Sequence, residues 1–257
     1  MKIFAFIAAR THSGRLPGKM LLPIRGKSII LHDIERAKQI KGLEGIVLCT
    51  STEKEDDVLE DIAKEAGILC FRGSLTDKLD RFRGAVEKFG ADYFVNIDGD
   101  DPFSDPELVE KAIEQIQSEK CDVIKSPDGM VCGAFTFLIS AEALKEVCKI
   151  KDTSDTEMYE VYFLEPGRFD VRDLKVSEQV FFNDNVRLTL DYKEDFEFFE
   201  RVFHELQMDK NIVPLREIMK LLEQKPEIAK INISRHKDYQ DKREIMSKTK
   251  KLKSDNI

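Results

Sequence analysis

The sequence predicts an α/β protein built on a mostly parallel sheet with helices on both faces. Three observations carry that prediction. The chain has 257 residues, 42% of them hydrophobic, enough for a sizeable core and too apolar for a disordered chain. Short apolar runs alternate with amphipathic stretches four times in the first half, the pattern of successive βα units. Those runs are apolar throughout rather than alternating, as in strands covered on both faces.

The elements follow in order. Ile3–Ala9 reads as a first strand, and not as a leader, because Arg10 and a polar basic loop follow the short run at once. Ser28 can cap a helix whose apolar positions Ile30, Ile34 and Ala37 recur at helical spacing to about Ile40. Gly45–Cys49 is a second strand, and Glu55–Ala66 a helix stopped by Gly67. Ile68–Phe71 is a third strand, and Lys78–Phe89 a helix closed by Gly90. Tyr93–Ile97 is the fourth strand. Asp105-Pro106-Glu107 then supplies an N-cap, a proline at the first helical position and an acid in the first turn, opening a helix to about Glu119.

The second half changes texture. Val123–Lys125, Ala134–Ile139, Phe169–Asp173 and Val186–Leu190 read as strands. Ala141–Val147, Glu157–Leu164, Phe196–Leu206 and Leu215–Leu222 read as helices. Lys151 to Asn185 is the least regular stretch, a small lobe beside the sheet or a dimerisation flap. With no internal repeat and no low-complexity linker, residues 1–230 read as a single domain and 231–257 as a polar basic tail.

Charge narrows the partners. The formal net charge is −8, yet Arg235–Ile257 holds eight Lys/Arg against four Asp/Glu, so this tail is +4 and the rest is −12. An acidic body argues against a nucleic-acid binder while leaving room for a local anion site. No apolar run approaches the ~18 residues of a membrane span. The five cysteines form no C-x-x-C pair and, with four histidines, no zinc spacing, so they read as reduced thiols of a cytoplasmic protein.

Ligands of open α/β sheets sit beyond the carboxyl ends of the strands. After the first strand stands Arg10-Thr11-His12-Ser13-Gly14-Arg15-Leu16-Pro17-Gly18-Lys19. Three cations crowded there repel one another unless an anion sits among them, which suits a polyphosphate. The loop is no Walker A: Ser13 stands where the first glycine belongs, and Met20 follows Lys19. It carries no G-x-G-x-x-G either. After the fourth strand, Asp98-Gly99-Asp100-Asp101-Pro102 places three carboxylates within four residues, an arrangement that a cation such as Mg²⁺ would relieve. Asp98 and Asp100 are the metal candidates, Asp100 the better one. Asp191 closes the run Val186–Leu190, and a strand returning there would set it opposite Asp100.

Arg10-x-x-Ser13-x-Arg15-Leu16-Pro17-Gly18-Lys19 resembles the opening motif of the cytidylyltransferases that make CMP-activated sugars. The 3-deoxy-manno-octulosonate and acylneuraminate enzymes and the SpsF-like spore-coat polysaccharide branch are the nearest. Further segments resemble that family in order: Arg25-Gly26-Lys27-Ser28-Ile29-Ile30, Thr50-Ser51-Thr52 with Asp56-Asp57, and Phe71-Arg72-Gly73-Ser74 with Asp80-Arg81-Phe82. Gly99-Asp100-Asp101-Pro102 and Arg187-Leu188-Thr189-Leu190-Asp191 complete the series over residues 1–210. The resemblance implies a Rossmann-like nucleotide-diphospho-sugar transferase fold, a homodimer, and the use of CTP and Mg²⁺. By position it assigns Arg10, Ser13, Arg15 and Lys19 to the triphosphate, with Arg15 and Lys19 on the leaving pyrophosphate. Arg72 would lie near the nucleoside, and Asp100 and Asp191 would carry the metal.

The chain departs from the family at the acceptor. Of an Arg-Glu-His triplet in the SpsF-like branch, Thr156-Glu157-Met158 keeps only the glutamate. Lys125, Arg168 and Arg172 are the cations that could replace the lost anion contact, and His12 could donate to phosphate. The expectation is a Mg²⁺-dependent transfer of CMP from CTP to a sugar or sugar-like acid, releasing pyrophosphate. Its rivals are a nucleotide-sugar-dependent glycosyltransferase, whose D-x-D Asp98-Gly99-Asp100 formally supplies, and a non-catalytic nucleotide-binding paralogue.

Overall fold

A computed structural model describes residues 1–164, 167–208 and 211–238. Strands β1 (Ile3–Ala8), β4 (Gly45–Ser51), β5 (Leu69–Gly73) and β6 (Tyr93–Asp98) are the four strands of the first half. Between them run α1 (Ile29–Ala37), α2 (Asp57–Glu65) and α3 (Lys78–Phe89), and α4 (Pro106–Ser118) follows. A two-residue ribbon, β2 (Pro23–Ile24) with β3 (Lys27–Ser28), precedes α1 and was not foreseen. Its turn, Arg25-Gly26, has positive φ at both residues, 51° and 83°, as a tight hairpin requires.

The second half adds β7 (Val123–Lys125), β8 (Phe137–Ser140), α5 (Ala141–Ile150), α6 (Glu160–Phe163) and β9 (Val171–Asp173). It ends in α7 (Lys193–Glu205), α8 (Leu215–Gln224) and α9 (Pro226–Ala229). The seven-stranded sheet runs β5-β4-β1-β6-β8-β7-β9. It is parallel across β5, β4, β1 and β6, and β8 is antiparallel to both its neighbours. β9 joins the far edge parallel to β7, so the irregular stretch contributes a strand to the main sheet.

Two expectations fail in detail. Val186–Leu190 is not a strand of the sheet: its strand-like pairing is one isolated bridge, Cys132 with Arg187, with the bond Leu188 N→Cys132 O at 3.0 Å. The helix over Glu157–Leu164 shrinks to α6, because Thr156 is buried against α3 and fixes the preceding backbone in a non-helical path.

Alternation in β1 divides the core. Ile3, Ala5 and Ile7 face a cluster with α1, α2, α4, α7 and α8, while Phe4 and Phe6 face one with α3, α5 and α6. Residues 239–257, most of the basic tail, lie outside the described residues. Of the segment 231–238, Asn232 is fully buried and binds Arg187 O at 3.1 Å and Asp195 Oδ1 at 2.9 Å.

The strand order reverses direction between β1 and β6, the switch point at which open sheets bind ligands. The register pairs Ala8 with both Cys49 and Asp98, so the loops after β1, β4 and β6 open at one level.

Candidate active site

Gly99 sets the geometry after β6. Its N–H donates to Ala8 O at 2.9 Å, and a Cβ there would lie 2.9 Å from the same oxygen. Only glycine allows this approach, which folds the chain back so that Asp100 stands over the end of β1. The Asp100 carbonyl then accepts from Leu190 N at 2.7 Å, which brings Asp191 beside it.

The loop after β1 is closed by Gly18 N→Thr11 O at 3.2 Å, with Gly18 at φ +67°. Asp56 anchors its start, accepting from Thr11 N and Oγ1, both at 2.7 Å. Lys19 is thereby aimed inward and is only 8% exposed. Its ammonium donates to Asp100 Oδ2 at 2.6 Å, Asp191 Oδ1 at 3.0 Å and Leu190 O at 2.8 Å. Arg15 pairs with Asp191 Oδ1 and lies over the Tyr192 ring at 5.5 Å. Beneath them Arg187, fully buried, donates to Asp191 Oδ2 and Asp195 Oδ1, each at 3.0 Å.

The ionisation states follow. Burial alone would raise the Asp191 carboxyl, but Lys19, Arg15 and Arg187 hold it well below the usual carboxylate range. Burial would lower the Lys19 ammonium, and Asp100 and Asp191 outweigh it and raise it. Asp100 has fewer cations around it, so burial and the charges of Asp191 and Asp98 push it up. Asp101, buried beside these acids, is pushed up further, first by burial and then by Asp100.

Of the residues singled out in the sequence, Arg15, Lys19, Asp100 and Asp191 therefore meet in one cluster. Arg10 leaves it, binding Leu75 O and Glu157 Oε2, both at 2.6 Å. The three cations of the loop each have a carboxylate of the chain itself, so their mutual repulsion is relieved before any ligand arrives. Ser13 turns back to cap its own loop, accepting from Leu16 N at 3.4 Å. Arg72 lies apart: it pairs with Asp57 and Glu60 of α2 and donates to the carbonyls of Ser51 and Glu53.

A cavity of 410 Å³ opens beside the cluster, with Arg15, Asp98, Asp100 and Asp191 in its wall. Lys78, which sequence reading left as an ordinary first-turn helix residue, also lines it at 5% exposure. It pairs with Asp98 and lies 5.0 Å from the Tyr159 ring centroid. Asp98 also accepts from Asn96 Nδ2 at 3.0 Å, so the two carboxylates of Asp98-Gly99-Asp100 serve different cations. Among the suggested acceptor cations, Lys125 lines the cavity but pairs with Asp173 at 2.6 Å. Arg168 reaches Glu146, and Arg172 pairs with Asp170 and Glu119. Glu157 and Met158 line the cavity, whereas Thr156 is structural, bonded to Asp77 and Leu79 N.

No group of three or more His, Cys, Asp or Glu side chains among the described residues is arranged to hold a metal. The two carboxylates Asp100 and Asp191 do converge on one cationic point, and hard oxygen pairs of this kind suit Mg²⁺ completed by substrate oxygens. The donor set fits such an ion.

A family described as cytidylyltransferase matches residues 4–253. The chain is 32% identical over 246 residues to a Methanocaldococcus jannaschii protein, MJ1063, covering 94% of this chain and 99% of the other. It is 30% identical over 237 residues to the spore coat polysaccharide biosynthesis protein SpsF of Bacillus subtilis, covering 88% and 96%. Among solved structures, a cytidylyltransferase from Leptospira borgpetersenii superposes with a TM-score of 0.81 at 24% identity, covering 89% of this chain and 97% of that one.

Proposed function

Because the chain belongs to the cytidylyltransferase family and is a nucleotidyltransferase, we propose that it transfers CMP from CTP to a sugar or sugar-like acid and releases pyrophosphate. The product would serve surface polysaccharide or glycoconjugate synthesis. One observation carries the reading: Arg15 and Lys19 stand against Asp100 and Asp191 at the mouth of a cavity, at the sheet's switch point.

In the transfer, an acceptor oxygen bonds to the α-phosphorus as the bond to the pyrophosphate oxygen breaks. Charge grows on the leaving group, and fixed cations stabilise it directly. Arg15 and Lys19 are placed to take that role. Asp100 and Asp191 would hold Mg²⁺, which when bound neutralises triphosphate charge and polarises the α-phosphate. The loop's backbone N–H groups would complete the triphosphate side; Arg10 and Ser13 would join it only by leaving Glu157 and Leu16 N, and Arg72 would reach the nucleoside only by leaving Asp57 and Glu60. The acceptor belongs in the cavity lined by Lys78, Asp98 and Glu157. Action in the cytoplasm as a homodimer is part of the same reading. The five free thiols suit a reducing compartment, and no helix among the described residues is long and apolar enough to cross a membrane.

The test is pyrophosphate release from each NTP with Mg²⁺ and a panel of sugar acids and sugars. Release with CTP and one acceptor class is expected. Asp100→Asn and Asp191→Asn should each lower turnover by about 100-fold or more while the far-UV spectrum stays unchanged, the size of loss seen when one transition-state charge contact goes. Near-normal rates in both variants sink the metal assignment. Hydrolysis of nucleotide sugars without pyrophosphate would favour the glycosyltransferase instead, and binding without turnover the non-catalytic paralogue.

A further inference from the structure

Lys19 is fully engaged before any substrate arrives. An ammonium has three donors, and Lys19 directs them at Asp100 Oδ2, Asp191 Oδ1 and Leu190 O, all within 3.0 Å. In this arrangement it fills a cation position; it does not wait for an anion. Arg15, Lys19 and Arg187 face Asp100, Asp191 and Asp195. A divalent ion arriving alone would meet a position already held by the Lys19 ammonium.

The acids are held from beneath, and the loop cations reach them on long side chains. Asp191 is tied from below by Arg187, which is itself held by Asp195. Asp195 Oδ2 also accepts from Asp191 N at 2.8 Å and Tyr192 N at 2.9 Å, and Asn232 packs on Oδ1. Asp100 is clamped through its backbone to Leu190. Lys19, by contrast, sits on a long flexible stem directly after Gly18, and Arg15 is the most exposed member of the set.

We propose that Lys19 is a placeholder: in the nucleotide-free protein its ammonium occupies the divalent-cation position between Asp100 and Asp191, and it yields that position when a triphosphate draws it away. This rests on the nucleotidyl-transfer reading of the site. Its consequence is an order of assembly, in which the nucleotide opens the metal site and the metal alone is refused. The two carboxylates are then never left facing each other uncompensated, which would be costly in a buried site. A ligand's apparent affinity falls by the fraction of protein in the competent state, so occupancy by Lys19 appears directly as weak metal binding.

The experiment uses the full chain, Mn²⁺ as the probe and no nucleotide, with free Mn²⁺ counted by electron paramagnetic resonance. Wild type should bind Mn²⁺ weakly, and Lys19→Met at least about tenfold more tightly, as expected when the competent fraction rises toward one. Adding Asp191→Asn to Lys19→Met should abolish the gain. Mn²⁺ should raise the melting temperature of Lys19→Met and leave that of wild type unchanged. Lys19→Gln, which keeps a polar head of similar reach, reads the same effect if Lys19→Met folds poorly. Tight binding of Mn²⁺ by wild type alone overturns the proposal whatever the variants do. So does a Lys19→Met or Lys19→Gln protein that binds no more tightly than wild type. CTP binding measured by calorimetry without metal is the separate check: its failure removes the nucleotide reading, while the Mn²⁺ comparison still reports on Lys19.

Discussion

Arg187 shows how much of this site rests on one side chain that touches no solvent. Its guanidinium holds Asp191 and Asp195 together, and both carboxylates are buried with it. Removing one partner of such a network leaves the others charged in a medium that cannot solvate them, at about 3–5 kcal/mol. Arg187→Met should therefore lower the urea midpoint far more than Arg172→Ala. Arg172 pairs with Asp170 and Glu119 at the surface, where such contacts contribute about 1 kcal/mol or less. Equal midpoints for the two variants would show that Arg187 does not carry the cluster. The sequence made some of these residues legible and hid others for a physical reason. Lys19 and Asp100 lie in the loops after β1 and β6, neighbours in the sheet, and sheet topology brings such loops together, whereas Asp191 arrives outside the sheet through Leu190 N on Asp100 O. Arg72 stands within β5, one residue from its end, and α2 supplies two acids that capture it. Lys78 was hidden because a charged residue in a first helical turn reads as solvent-facing, and only the tertiary contact with Asp98 and Tyr159 shows otherwise.

Among the elements, the parallel half was legible and the second half only partly so. Strands β1, β4 and β6 carry six or seven residues each with long buried runs, and hydrophobic patterning reports such runs directly. β7 and β9 have three residues each, too few for a period, yet the short apolar runs mark both: Val123–Lys125 is β7 as read, and Phe169–Asp173 contains β9. The run 186–190 is apolar because it is buried, yet it packs along the loop at Cys132-Gly133 without entering the sheet. Gly133 is what permits that packing. It has φ +89°, and a Cβ there would collide with the carbonyl of Leu188. Gly67 has φ +68° with nothing within 4 Å of a Cβ. Gly67→Ala should cost only the backbone strain, about 1 kcal/mol. Gly133→Ala should cost more, and by displacing the segment that carries Asp191 it should lower turnover as well. Thermal melts and pyrophosphate release on the two variants check this, and matching losses in both would remove Gly133 from the account of the site.

At the scale of the whole molecule, the net charge of −8 hides a stack of carboxyl groups running from the site into the core. Asp100 and Asp101 lie at its upper end, and Asp33 of α1 at its base. Asp33 is 2% exposed, and neither of its carboxylate oxygens has a hydrogen-bond partner. Burial first, and then the charges of Asp101 and Asp100, raise Asp33 well above the usual carboxylate range. Asp101 is raised for the same reasons. A carboxyl raised in the folded state binds a proton that the unfolded chain has already lost. Stability therefore falls as pH rises from about 4, the unfolded value, toward the folded one, by about 1.4 kcal/mol per pH unit for each such group. Asp191 has the opposite sign: its contribution is present above the unfolded value and is lost only as pH falls through its depressed folded value. The protein should thus be more stable near pH 5 than near pH 7, with Asp191 and Asp56 among the groups that cost it stability in strong acid. Asp33→Asn removes one titrating group without removing a hydrogen bond. In urea denaturation it should match wild type near pH 4.5, exceed it at pH 7, and show a gap that widens between the two. A pH profile parallel to that of wild type would mean that Asp33 ionises in the fold as it does in water, and that the stack is no store of protons.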